Sequence, residues 1–141
     1  MSAPPLDYHG EVTGVVIEDN GIRLWMYPDG PSNGGGDQVS LSNRVAVSRG
    51  EESFEFEPTD AVERASHIAS RLRQTIAVSI DEDRDLAVIL NFGDGYRWVC
   101  RQGDGYEAWD LIASGWQWIS VPGGAVRFLS EPSTNVEGPQ V

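Results

Sequence analysis

Turn dipeptides cut this chain into short apolar runs, and that punctuation constrains its fold more than any other feature. Glu11 to Ile17 and Ile22 to Tyr27 are rich in β-branched and aromatic residues and are joined by Glu18-Asp19-Asn20-Gly21. Asn-Gly readily adopts the left-handed backbone of a two-residue turn, so the pair predicts a β-hairpin. Further runs of strand length lie at Gln38 to Leu41 or Val45 to Val47, at Ser53 to Phe56, at Ile76 to Ile80 and at Leu86 to Phe92. Gly93-Asp94-Gly95 turns into Tyr96 to Arg101, and Gly115 to Val121 and Ala125 to Leu129 flank Pro122-Gly123-Gly124. In the Ser53 run Phe54 and Phe56 alternate with Glu55 and Glu57, the period-two pattern of a strand with one wet face.

One stretch obeys a different period. Val62, Ala65, Ala69, Leu72 and Ile76 recur at three- and four-residue spacing, which predicts a helix from about Asp60 to Gln74 with those residues inward. Asp60 and Glu63 are spaced as a capping box, while Arg71 and Arg73 suit the negative end of the helix dipole. Glu63, Arg64, His67 and Arg71 then fall on the polar side, where His67 can pair with Glu63 one turn away. The expected class is α+β: a mainly antiparallel sheet of hairpins and meander packed with one amphipathic helix.

Composition narrows what such a domain can do. The chain has 141 residues and a net charge of −12, from 22 acidic and 10 basic residues. That is one domain's worth of chain, and residues 1–8 and 130–141, poor in apolar periodicity, read as flexible tails around a domain of residues 9–129. Surplus negative charge repels nucleic acid and anionic lipid, so neither is an expected partner, whereas a basic protein is. No apolar run approaches the ~20 residues of a spanning helix. With a single cysteine, Cys100, and neither a basic nor an apolar leader segment at Met1 to Asp7, the expected compartment is the cytoplasm.

Five blocks stand out by their order: Phe54-Glu55-Phe56-Glu57-Pro58, the helix from Asp60, Leu86 to Gly95, Gly105-Tyr106-Glu107-Ala108-Trp109-Asp110-Leu111, and Pro122-Gly123-Gly124. Together they resemble a family of small bacterial proteins known as a domain of unknown function, over about half of the chain. The resemblance implies the same strand, helix and hairpin order and carries no catalytic residues. The compact acidic form is similar to that of immunity proteins that neutralise toxins, a likeness of shape.

Each candidate for chemistry has a structural counterpart. Asp81-Glu82-Asp83-Arg84-Asp85 spaces aspartates as a calcium loop does, but Leu86 and Phe92 stand where that loop needs glycine and a bidentate glutamate, so a solvated turn is expected. Cys100 shares a strand face with Tyr96 and Trp98 and reads as a buried thiol, since His9 and His67 are poorly placed to activate it. Two histidines are too few for zinc, and no cofactor fingerprint is present. Glu107, between Tyr106 and Trp109, is the best carboxylate for a general acid or base, or else an anchor accepting a turn hydrogen bond. Trp116 and Trp118 point the same way on a strand, opposite Gln117 and Ile119, and either cover the core or form a binding platform.

The expected function is a non-catalytic interaction domain for a basic partner, immunity-protein-like in form, with Tyr106, Glu107, Trp109, Trp116 and Trp118 as binding residues. The alternative is a small-ligand or hydrolytic domain using Glu107 beside the tryptophans.

Overall fold

The computed structural model describes residues 6–19, 21–29, 36–81, 86–102, 108–113, 115–121 and 125–130. Its strands are β1 (Tyr8–Glu18), β2 (Gly21–Pro28), β3 (Asp37–Leu41), β4 (Val45–Arg49), β5 (Glu52–Phe56), β6 (Thr75–Asp81), β7 (Ala87–Phe92), β8 (Arg97–Cys100), β9 (Trp109–Ala113), β10 (Trp116–Val121) and β11 (Ala125–Ser130). Between β5 and β6 lie a 3-10 helix, Pro58–Arg64, and the short α1, Ala65–Ala69. All strands join one antiparallel sheet in the order β11-β10-β9-β3-β2-β1-β6-β7-β8-β4-β5. The expected α+β class and both alternative strands, Gln38 to Leu41 and Val45 to Val47, are present. Trp109–Ala113 is also a strand, where the sequence suggested only an aromatic block.

β1 is the hinge of this sheet. Tyr8 to Glu11 pair with β6, while β2 runs alongside β1 from Gly10 to Glu18 across a register shift between Val12 and Gly14. An extra residue at such a bulge bends the strand and sharpens its twist. At the bend Val12 exchanges hydrogen bonds with the turn after α1, its N–H donating to the Gln74 carbonyl (2.9 Å) and its own carbonyl accepting from Arg73 (2.8 Å). Gly10 has no alternative residue here, because a Cβ would lie 2.3 Å from the Tyr27 carbonyl oxygen. Tyr8, which the sequence places in the tail, is a buried member of β1 whose hydroxyl donates to the buried Asp37 at the start of β3 (3.1 Å).

Side chains directly opposite on paired strands share a face, so the register writes out the core. One row runs Tyr8, Val78, Leu90, Trp98, Val47 and Phe54; another runs Val15, Leu24, Val39, Leu111 and Trp118. Both belong to or pack against a single apolar cluster, so the sheet coils round one core. The β3–β9 ladder runs on one step as Ser42 N–H donates to the Ala108 carbonyl (2.7 Å), and the sheet's halves meet where the Trp109 indole donates to the Leu86 carbonyl at the entry to β7 (2.9 Å). Ser120, fully buried, accepts from the backbone N–H groups of Ala108 (2.9 Å) and Trp109 (3.0 Å) and ties β10 to the entry of β9.

The helical segment departs from its predicted form. Pro58 occupies the first position, where its fixed φ suits a helix start, and no side chain caps it, so the Asp60–Glu63 capping box is not made. A 3-10 helix repeats every three residues, which aligns buried Pro58 and Ala61 rather than Val62 and Ala65. Inward-facing Ile68 and Arg71 follow, and Val62 is 80% exposed, so the buried face is rotated away from the predicted stripe. Arg71, expected on the polar side, is 1% exposed: its guanidinium makes two hydrogen bonds to Asp94 (2.9 and 2.7 Å) and lies against the rings of Phe92 and Tyr96.

Arg71 is buried while Asp94 keeps 26% of its side-chain surface in solvent, so Arg71→Met removes the clamp but leaves a carboxylate that water reaches; it should lower unfolding free energy by about 1–2 kcal/mol, measured by urea denaturation. Ser120→Ala, leaving two buried N–H groups unpaired, should cost about 2 kcal/mol. Val62→Ser should stay within about 0.5 kcal/mol of the parent.

Candidate functional site

The alternation of β5 that places Phe56 in the core also brings Phe54 to the edge of the same face. Phe56 and Phe92 meet the ring of Trp98 edge-on, at 5.6 and 5.3 Å between centroids. A sealed indole needs an acceptor for its N–H, and Trp98 finds one in Nε2 of His67 on α1 (3.0 Å). His67 therefore does not pair with Glu63 on a solvated face. Its ring stands edge-on to Phe54 (5.3 Å) and Tyr96 (4.7 Å). Burial, helped by the neighbouring Arg71 charge, lowers the His67 pKa from its ordinary value, so the ring is neutral and serves as an acceptor. Asp94 is held below the usual carboxylate range by its hydrogen bonds from Arg71.

Charged groups rim this corner. Arg64 lies over Phe54 and Arg49 over Tyr96, each 4.2 Å from the ring centroid, and the Tyr96 hydroxyl donates to Glu52 (2.9 Å). Beside them a cleft of about 250 Å³ opens between β4, β5 and the 3-10 helix, lined by Arg44, Glu55, Phe56, Glu57, Asp60, Glu63 and Arg64. Arg44 is engaged within it, with Nε on Glu57 (2.7 Å) and a terminal nitrogen 3.6 Å from Glu55. Asp60 and Glu63 form no ion pair among the described residues. A second groove, about 440 Å³, runs past the β1–β2 turn and contains Glu18, Asp19, Arg23, Ser40, Ser42 and Asp110. Glu18 pairs there with Arg23 (3.2 Å).

Of the binding residues singled out in the sequence, the structure places only the three tryptophans. Tyr106 and Glu107 lie outside the described residues, as do Glu82 to Asp85. Trp109 and Trp118 are buried in the core, and Trp116 is half-buried against it. Trp116 and Trp118 do share a side, next to Ala113 and Leu111 of β9 in the register, and on it Trp118 is sealed in the core while Trp116 keeps part of its surface in solvent. The Cys100 thiol is enclosed near the carbonyls of Asn43 and Ala108, and burial pushes its pKa up to about 12, which removes it as a nucleophile. No cluster of three or more metal-ligating side chains occurs among the described residues. The helical corner was hidden because His67 and Arg71 were assigned to a wet helix face. The signal that could have found it was Trp98, an indole on a buried strand that must have an acceptor.

The chain matches no known protein-family model, no curated protein and no solved structure.

The His67 shift has a definite sign. Below the ordinary value of 6.5 the unfolded chain takes up a proton that the folded chain refuses, so folding stability falls with pH until the lowered folded-state pKa is passed. Urea midpoints followed from pH 7.5 downward should drop more steeply for the parent than for His67→Gln, which keeps an acceptor for Trp98 without titrating. Parallel curves would remove His67 as the titrating group.

Proposed function

We propose that this chain is a non-catalytic binding domain for a basic protein, acting by covering its partner as immunity proteins do. The supporting observation is the uneven pairing of its charges. All ten basic side chains are arginine, and Arg23, Arg44, Arg49, Arg71 and Arg73 each meet a carboxylate of this chain while Arg64 sits on Phe54. Exposed Asp19, Asp29, Glu51, Asp60 and Glu63 have no ion pair among the described residues. The described arginines are largely spent internally, and the net charge of −12 is carried outward. Such a surface steers basic partners at long range and discourages acidic ones. A catalytic reading finds less support, since His67 holds an indole N–H and Cys100 is enclosed as a neutral thiol.

The full chain, immobilised and exposed to lysate of its native cell at low salt, should retain a basic protein. Once purified, that protein should rebind with an affinity that falls as NaCl rises from about 50 to 300 mM, as screening of surface charge requires. Retention of nothing above background, or of an acidic protein indifferent to salt, would refute the proposal.

A further inference from the structure

The geometry points to the helical corner as the surface that takes the basic partner: Val62, with the cleft of Asp60 and Glu63 beside it, receives a segment carrying an apolar side chain next to arginine or lysine. The inference rests on the binding function proposed above and adds the place and the chemistry of the contact.

Val62 is 80% exposed, the most exposed large apolar side chain among the described residues, and Leu72 in the turn after α1 is 44% exposed. Their exposure follows from the rotation of the segment, because Ile68 and Arg71 take the inward positions and leave Val62 and Leu72 outside. Apolar groups ringed by charge are the usual anatomy of an interaction surface, apolar at the centre and polar at the rim. Here the rim is negative. Four carboxylates face two guanidinium groups in the cleft, and both guanidinium groups are occupied, Arg44 by Glu57 and Glu55 and Arg64 by the Phe54 ring. Asp60 and Glu63 flank Val62 in the chain and supply the uncompensated charge. The cleft, about 250 Å³ with Phe56 among its walls, has room for one long side chain with an aliphatic stem and a cationic head.

The mount beneath this surface is stiff. Arg71 is tied to Asp94 by two hydrogen bonds, and Trp98 is tied to His67, so the segment is held in position before a partner arrives and little ordering cost attends binding. The groove at the β1–β2 turn also has more carboxylates than arginines, but the large apolar residues lining it, Ile22 and Leu41, are buried, so it offers no exposed apolar anchor beside its charge. A second copy of this chain is disfavoured by repulsion between molecules of net charge −12.

The probes are a synthetic amphipathic Leu/Arg peptide, a Ser/Arg peptide of equal charge and a Leu/Glu peptide, each titrated into the ¹⁵N-labelled full chain. The Leu/Arg peptide should bind most tightly and shift the amides of Arg44 and of residues 58–73. Val62→Ser should weaken it about tenfold, equivalent to ~1.4 kcal/mol, with the thermal midpoint unchanged. Asp60→Asn with Glu63→Gln should weaken it similarly and flatten its salt dependence. Shifts confined to the Glu18 and Asp110 groove, or equal binding of the Leu/Arg and Ser/Arg peptides, overturn this surface while leaving a basic partner intact. Absence of Leu/Arg binding also overturns it, and binding of the Leu/Glu peptide as tight as that of Leu/Arg overturns both readings. Concentration-dependent dimerisation abolished by Val62→Ser assigns the face to a second copy and equally refutes the inference.

Discussion

The Arg71–Asp94 pair holds the two kinds of structure in this protein together. A five-residue α-helix behind an uncapped 3-10 turn is far too short to persist by its own hydrogen bonds. It survives because Arg71 reaches from its end into the Gly93-Asp94-Gly95 turn, where Asp94 also accepts from the Tyr96 N–H. Burying a guanidinium is costly, and two charge-assisted hydrogen bonds plus contact with Phe92 and Tyr96 offset that cost. Once the segment is pinned, His67 lies where Trp98 needs an acceptor, and the residues that then remain outside are decided as well.

Local pattern and long-range pairing were unequally legible in the sequence. Hairpins such as β1–β2 and β6–β7 could be read because alternation and turn chemistry act within a few residues. The partners of β3 and β4 could not, since β9 and β8 lie far along the chain, Ser48 pairing with Arg97 and Leu41 with Trp109, and no local signal names them. The helix was recognised as a segment but not in its orientation. Periodicity counts arginine as polar, whereas Arg71 brings a long apolar stem and a planar head that an aromatic slot with one carboxylate accommodates. Proline at position 58 and the three-residue period finished the rotation. β9 was missed because its tryptophan drew attention as chemistry when its role is to fill the core.

The same difference separates the candidate site from the expected one. Side chains around Trp109 were attractive for their aromatic density, yet aromatic density in a small domain is first a requirement of the core. There Ser120 collects the N–H groups that the irregular entry to β9 leaves unpaired, and the Trp109 indole closes the gap between the sheet's halves. At the helical corner, what faces solvent is a valine and carboxylates on a short 3-10 helix and a leucine in the turn after α1, residues with no catalytic signature. Their significance comes from position, which only the tertiary structure supplies.

The strand order also has a consequence for how the chain comes into being. On a ribosome the amino-terminal half emerges first, but β3 and the β4–β5 hairpin flank their own neighbours only after β9 and β8 have been made. Until then β3 and β4 each have a bare edge, and their apolar faces have no opposite wall. Closure of such distant pairings is slow and exposes edges that other chains can join. The acidic residues that later serve the folded surface would by then already be at work, keeping nascent copies apart through mutual repulsion while they wait for their last strands.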